Sequence, residues 1–409
     1  MKTEIITIGT EILLGEIVNT NAQFLARRCA EHGLDVYHQT VVGDNEQRLI
    51  TAIELAVSRV ELIICTGGLG PTEDDLTKHA IAKYVGKPLL YDEAAKKKII
   101  QFFEQRQVTM ADNNLRQALT IEGADVLLNE RGLAIGLAIK HNGCSIILLP
   151  GPPSELKSMF DHHVIPWIFQ HYSNLQKLHA KMLCFAGIGE SGVAARIADL
   201  IDYQTDPTIA TYAREGEVQV RVASKKEQNL EPIVLEIMNR LKDYLYAYED
   251  QTIEQALVDR CLLYKKSIVI AESCTGGRIA HFITSIPGSS QVFTGGFVTY
   301  SNDSKTRWLN ISDEDLHGPQ CPGAISSETA KQMANAALNN SKADYALSIT
   351  GVAGPSEVEG KPVGLIYIAL ANRAGQCFVE EHRLAGTRSI IQQRAAKLSI
   401  YKLWQFIKK

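Results

Sequence analysis

No apolar run in this 409-residue chain reaches the ~20 residues that a bilayer-crossing helix needs, so nothing points to a membrane partner. An excess of charge of one sign is missing as well. Lys and Arg number 42 against 46 Asp and Glu, a formal net charge of −4. That balance gives no support for a general nucleic-acid binder or a membrane-surface protein. Cysteine pairing patterns are absent too. The eight Cys are scattered (29, 65, 144, 184, 261, 274, 321, 377), with no C-x-x-C pair among them. Several sit inside apolar runs, as in Ile63-Ile64-Cys65. They read as reduced, mostly buried small hydrophobes, which argues against a structural zinc site. The first residues, Met1 to Gly9, enter a strand pattern directly and do not resemble a signal peptide, so a cytoplasmic location is expected.

What is present is ordinary globular composition, 45% hydrophobic and 22% charged, in a length that predicts two to four domains. From Met1 to about Tyr172, strand and helix patterns alternate. Glu4 to Ile8, Val36 to Val42, Leu62 to Cys65 and Ser145 to Leu149 read as strands, with helices at 21–32, 48–58 and 91–107. This alternation predicts an α/β domain with a mainly parallel sheet. Met110 to Ile139 is expected to hold connecting strands and loops. Lys96, Lys97 and Lys98 read as a solvated face.

Ligands of such sheets bind beyond the carboxyl ends of the strands, and polar residues gather there. Gly9, Thr10, Glu11, Gly15, Asn19 and Asn21 follow the first strand. Gly43, Asp44 and Asn45 follow the second, and Thr66 to Thr77 follows the third with Gly67, Gly68, Gly70, Pro71, Asp74 and Asp75. Glycines after a strand let backbone approach a phosphate. Asp44, Asp74 and Asp75 suit a hard divalent cation such as Mg²⁺. The plainer reading is that Glu73, Asp74 and Asp75 favour the start of the next helix.

A middle segment, 173–250, reads as a small α+β module, with strands at 181–185, 208–212 and 218–223. Its Gly187-Ile-Gly-Glu190 turn invites comparison with a KH-type RNA binder, but Glu190 stands where a basic residue is usual. A structural spacer or dimer element is favoured, with Asp243 to Thr252 as a linker.

The last segment, 251–409, is again α/β. Its central stretch is Ser267 to Ile283. A buried strand (Ile268 to Ala271) meets the polar turn Glu272-Ser-Cys-Thr-Gly-Gly277 and then a helix start. Such a turn aims a side chain and backbone N–H groups at one small volume. Ser273 is therefore a candidate nucleophile; the alternative is a common glycine turn with a capping Ser or Thr. Serine needs a base. His281 lies too far along its helix, and His317 and His382 have no motif around them. Lys305 follows another strand end, and a desolvated lysine can serve as base; the alternative is a surface lysine.

Several of these stretches resemble the CinA family. At the N-terminal end they are Gly9 to Gly15, Val42-Gly-Asp-Asn45, Thr66 to Thr77 and Pro150-Gly-Pro-Pro-Ser-Glu155. At the C-terminal end they are Ala271 to Gly277, Gly296 to Asn302 with Lys305, Gly323 to Ser326, Ser348 to Pro355 and Lys361 to Gly364. The resemblance implies two three-layer α/β domains, 1–172 and 251–409, joined by a small KH-like module. It implies a molybdopterin-binding-like N-terminal domain with metal-dependent ADP-ribose pyrophosphatase activity. There Thr10, Glu11, Asn19, Gly67, Gly68, Gly70, Pro71 and Glu155 would form the nucleotide site, and Asp44, Asp74 and Asp75 the metal site. It implies a C-terminal amidohydrolase that converts nicotinamide mononucleotide to nicotinate mononucleotide and ammonia, without a cofactor. Ser273 would be nucleophile and Lys305 base. Glu272, Thr275, Gly276, Gly277, Tyr300, Thr350, Gly351 and Gly354 would line the pocket, and backbone N–H groups from Thr275 to Gly277 would hold the oxyanion or the substrate phosphate. Pyridine nucleotide salvage and a homodimer follow from the same resemblance. The contrasting hypothesis is a non-catalytic nucleotide-binding or competence-linked partner protein. Two stretches depart from the family pattern. Leu128 to Gly136 lacks two prolines, and Ser356 to Gly360 replaces a more glycine-rich loop.

Overall fold

The computed structural model describes residues 1–173, 175–318 and 320–407. The chain divides into two compact units, Met1–His179 and Ala180–Lys409. Among the described residues no helix is long and apolar enough to cross a membrane.

In the first unit, β1 (Lys2–Ile8), β2 (Asp35–Val42) and β3 (Leu62–Thr66) belong to a six-stranded sheet. A separate small ladder pairs β4 (Leu89–Tyr91) with β5 (Leu119–Ile121). The large sheet is completed by β6 (Asp125–Leu127), β7 (Gly136–His141) and β8 (Cys144–Leu149), in the order β2-β1-β3-β8-β7-β6. The first four strands in that order are parallel, and β7 and β6 run antiparallel to their neighbours. Alternate side chains of β1 and β3 enter two different cores. Ile6, Ile8, Ile63 and Cys65 pack on one face; Ile5, Leu62 and Ile64 pack on the other. Helices cover both faces, which is why β3 is apolar throughout rather than alternating. The helices start where short polar side chains cap them. Asn19, Asn45 and Asp92 each accept a hydrogen bond from the N–H three residues on.

One expectation for this unit needs correction. Lys98 is not simply solvated. Its amine donates to the carbonyls of Asn129 and Gly132, tying the helix Glu93–Gln105 to the 128–136 stretch. That stretch, for all its missing prolines, is held by the buried Asn129. Its Nδ2 donates to Ala134 O (3.0 Å) and Glu155 Oε2 (2.6 Å), and its Oδ1 accepts from the N–H of Arg131 and Gly132. Side-chain hydrogen bonds replace proline as the source of rigidity.

In the second unit, the module sheet has the order β10-β11-β9-β12, from β9 (His179–Ala186), β10 (Thr208–Arg214), β11 (Glu217–Ser224) and β12 (Leu245–Ala247). Leu183, Phe185, Val220 and Val222 form its core with helical residues Val193, Ile197 and Ile237. The segment read as a linker, Asp243 to Thr252, is instead structured. It contains β12, and Tyr246 and Ala247 are buried with Cys184 and Ala186 in the core of the following domain. The module has therefore given the second face of its sheet to its neighbour. The last sheet runs β14-β13-β15-β16-β17, from β13 (Ile268–Glu272), β14 (Phe293–Val298), β15 (Tyr345–Gly351), β16 (Leu365–Asn372) and β17 (Cys377–Arg383). β14, β13 and β15 are parallel, so the residues after all three end at one edge. All eight Cys are free, six of them buried.

Gly67 makes the tightest approach to backbone among the glycines of the first unit. Its φ is +108°, and an added Cβ would lie 2.1 Å from Ile8 O. Gly67→Ala is expected to destabilise this unit by roughly 3 kcal/mol, since backbone, not a flexible side chain, must give way. Thermal unfolding followed by circular dichroism checks this; an unchanged midpoint would contradict the packing described.

Candidate active site

The strongest constellation lies at the carboxyl edge of the last sheet. β13 delivers Glu272, and the chain then turns through Ser273 to Gly277 into the helix Arg278–Thr284. Gly276 and Gly277 have φ of +61° and +94°, and neither would place a Cβ against a close neighbour. Glycine is needed there for conformation, not for space.

Glu272 shapes this turn from beneath. It is buried, and its carboxylate accepts from Thr275 Oγ1 (2.7 Å) and from the N–H groups of Gly277 (3.1 Å), Ile279 (3.1 Å) and Ala280 (2.9 Å). It is thus a buried cap of the helix, and the substrate-binding role expected of it is replaced by a structural one. The same geometry corrects the oxyanion expectation. The Gly276 N–H donates to Ser273 O and the Gly277 N–H to Glu272, so both are engaged. The N–H groups of Cys274 and Thr275 donate to no backbone carbonyl among the described residues. These two follow the serine directly, as oxyanion donors do in many acyl-transfer sites.

Lys305 lies on the helix Asn302–Leu309, which opens with a capping box formed by Ser301 and Ser304. The helix turns Lys305 inward. The residue is 1% exposed, and its Nζ donates to Ser273 Oγ at 3.2 Å and to Thr299 O at 3.0 Å. Among the described residues it forms no ion pair. Burial holds its pKa below the ordinary 10.5, against weaker opposing pulls from Cys274 and Glu359. Cys274, beside the serine, is no rival nucleophile. Burial pushes its thiol up to about 12, so it stays protonated at neutral pH.

The other expected pocket residues divide. Tyr300 is 58% exposed, and its hydroxyl accepts from Arg388, whose guanidinium also donates to Gly354 O. Thr350 is turned away, its hydroxyl donating to Ala324 O (2.6 Å). Gly351 is packed so that a Cβ would meet Leu365 O at 2.5 Å. The unusual 356–360 loop has a clear job: Glu359 accepts from the N–H groups of Ala324 and Ile325 and pairs with Lys361 at 3.5 Å, holding the wall of the edge. Arg388, Thr299 and Gln392, whose Nε2 donates to Cys274 O (2.8 Å), are residues that sequence reasoning missed. Thr299 lies inside the Gly296 to Asn302 stretch, where its backbone carbonyl, which no sequence pattern marks, serves the site; Arg388 and Gln392 lie outside these motifs and meet the site through folding.

In the first unit, a cavity of about 380 Å³ opens at the carboxyl ends of β1, β3 and β8. Of the expected nucleotide-site residues, Glu11, Asn19 and Gly67 line it, together with Asn21 and Gly151. Gly68, Gly70 and Asp75 line a separate small hollow with Lys78 and Arg116. Pro71 and Asp74 lie in neither lining; Asp74 is exposed. Glu155 serves Asn129, as described above. Thr10 donates its N–H and hydroxyl to Asp44 Oδ2 (2.9 and 2.8 Å), and Asp75 Oδ2 accepts the N–H and hydroxyl of Thr72 (2.8 and 2.6 Å). No group of three or more His, Cys, Asp or Glu that could share a metal ion occurs among the described residues. The buried Lys78, donating to Gln117 O (2.8 Å), has its pKa pushed down to about 7 by burial, with Asp75 opposing.

Comparison with known proteins agrees with this division of the chain. Family models match over 4–170 (probable molybdopterin binding domain), 180–247 (damage-inducible protein CinA KH domain) and 250–407 (CinA C-terminal domain). A putative competence-damage inducible protein of Caldicellulosiruptor bescii is 45% identical over 408 residues, 98% of each chain. The chain belongs to the CinA family. A CinA-like protein of Dictyoglomus thermophilum is 43% identical over 96% of each chain. Among solved structures, the protein CinA with unknown function from Thermoplasma acidophilum is 31% identical. It covers 42% of this chain and 96% of its own, with a TM-score of 0.37.

The lowered pKa of Lys305 has a sign that can be worked out. The buried amine loses its proton at a lower pH than the unfolded one. Stability therefore rises with pH between the folded value and 10.5, and the free amine needed by a base appears below the ordinary 10.5. Any hydrolysis at this site should rise with pH to a plateau reached below 10.5. A rate still climbing at pH 10.5 would mean that Lys305 does not act as base.

Proposed function

We propose that the C-terminal site is a serine/lysine amidohydrolase acting on nicotinamide mononucleotide. One observation carries this reading: a buried lysine that forms no ion pair among the described residues lies within hydrogen-bond reach of a serine on a strand-to-helix turn. In the proposed reaction, the Lys305 amine takes the proton of Ser273, and Oγ attacks the carboxamide carbon. The tetrahedral oxyanion is held by the N–H groups of Cys274 and Thr275. Collapse returns the proton from Lys305 to the leaving nitrogen, and ammonia departs, leaving an acyl-serine. Water, deprotonated by Lys305, releases nicotinate mononucleotide and restores both groups. Arg388, exposed at the rim beside Tyr300, supplies a forked donor for the substrate phosphate. The choice of this nucleotide rests on the family resemblance; the amide chemistry rests on the serine and lysine.

Ser273→Ala is expected to lower ammonia release from nicotinamide mononucleotide by at least ~10³-fold with the fold intact, and Lys305→Ala nearly as much. Full activity in the serine variant would end this assignment.

A second reading is favoured by the cavity lined by Glu11, Asn19, Asn21 and Gly67, namely that the first unit binds and cleaves ADP-ribose with a divalent cation. The donor set fits such an ion only in part. Asp44 and Asp75 each commit one oxygen to a threonine and keep the other, so either would offer a single carboxylate oxygen to a Mg²⁺ ion held mainly by the substrate phosphates. A bound cation would supply neutralisation of the pyrophosphate charge. Incubation with ADP-ribose is expected to yield AMP, with chelator or Asp75→Asn reducing the yield at least tenfold. Retained AMP production under chelation would sink the metal-dependent reading. No AMP formation, with nucleotide still bound, would favour a non-catalytic binding role for this unit.

A further inference from the structure

The terminal helix, Arg388–Phe406, touches both the nucleophile turn and the small module. Near its start, Arg388 reaches Gly354 O and the Tyr300 hydroxyl, and one turn later Gln392 holds Cys274 O at 2.8 Å. Further along, Arg394, Lys397, Tyr401 and Gln405 recur at helical spacing and all bond to the module. Arg394 pairs with the exposed Glu215 at 3.2 Å. Tyr401 donates to Asp243 O at 2.6 Å, and Gln405 to the same carbonyl at 3.2 Å. The contact is close at backbone level. A Cβ on Gly216 would lie 2.7 Å from Lys397 Cβ, and one on Gly187 would lie 2.7 Å from Tyr401 Cε1. The first glycine of the turn that resembles an RNA-binding element is thus packed against the protein's own helix, while Gly189 of the same turn faces open space.

At the centre of this contact is a buried charge cluster. Lys397 is 6% exposed. Its amine bonds to Glu217 Oε2 of β11 (2.8 Å) and to Glu254 of the helix Ile253–Tyr264. Glu217 also accepts from the Tyr246 hydroxyl and from the Ile253 N–H (2.8 Å). Every member has a defined partner. A buried ion cluster of this kind adds little net stability over apolar packing, but its directional bonds admit one register. A helix is stiff over short spans. Lys397 and Gln392 are separated by about 7.5 Å of axis at 1.5 Å per residue, so displacement at one moves the other.

We propose that the module acts on the hydrolytic site as a positioning platform. Glu217 anchors Lys397, and the helix thereby sets Gln392 against the nucleophile turn and Arg388 against the substrate rim. Lys397 and Glu217 are positioning residues, and neither touches substrate. This rests on the amidohydrolase reading for its kinetics, but not for its geometry.

The test uses the full chain with Glu217→Gln and Lys397→Met, below their unfolding temperatures. With nicotinamide mononucleotide, kcat should fall and KM rise, each about three- to tenfold, because the helix carries both a turn contact and a rim contact. Arg394→Ala, which removes an exposed pair to the same module, should leave both within twofold. Adding Gln392→Ala to Glu217→Gln should cost less than the product of the single losses, since both act through one bond. Amide hydrogen exchange over 273–280 should quicken at least tenfold in Glu217→Gln. Variants that melt earlier yet keep wild-type kcat, KM and exchange would overturn the proposal and leave the cluster as mere glue. If the wild-type chain releases no ammonia, the amidohydrolase reading fails, and the exchange measurement alone still decides whether the cluster holds the turn.

Discussion

Burying a lysine without a carboxylate partner is costly for the charged form and cheaper for the free amine. Everything around Ser273 is arranged about that constraint. The helix Asn302–Leu309 turns Lys305 inward, and among the described residues the amine bonds to the Ser273 hydroxyl and the Thr299 carbonyl. A carboxylate in the same place would have fixed the proton on the nitrogen. A histidine would have needed a third group to orient it. The pair present needs neither.

The constraint extends to the turn itself. A serine aimed at the lysine must be followed by backbone that ends a strand and starts a helix within a few residues. The orphan N–H groups this creates must be satisfied. Glu272 takes three of them together with a hydroxyl, all underneath the turn. It thereby decides which donors remain available: those of Cys274 and Thr275, beside the nucleophile. The buried carboxylate and the buried amine divide the work, one shaping the turn and the other activating it. The terminal helix, bonded to Cys274 O through Gln392, closes the arrangement from the third side.

The first unit follows a looser plan. Its polar residues lie at the carboxyl ends of parallel strands, as a doubly covered sheet dictates. Yet they separate into one cavity and one small hollow rather than a single acidic centre. Asp44 is bonded by Thr10 beyond the neighbouring strand β1 and Asp75 by Thr72 of its own loop, so hydrogen bonding within the protein competes with ligation. The rigid element here is Asn129, whose side chain satisfies four backbone and carboxylate groups of its neighbourhood.

Much of this was legible in the linear chain. Period-two and period-3.6 apolar patterns predicted the α/β units and the serine turn, because burial on a sheet or helix face is written locally, residue by residue. The family motifs, which are contiguous, carried Ser273 and Lys305 to the page together. What escaped were the pairings between distant segments. The segment from Asp243 to Thr252 looks like a polar linker, but a strand inside it closes the module sheet. Glu272 looks like part of a binding motif, but its carboxylate points beneath the turn. Arg388, Gln392 and Lys397 carry no motif, and their roles arise when a terminal helix packs against elements from 34 to 180 residues away. Sequence by itself determined which residues could do chemistry. Only tertiary structure decided which of their donors and acceptors were left free to do it, because hydrogen-bond satisfaction is settled by partners that the chain brings together when it folds.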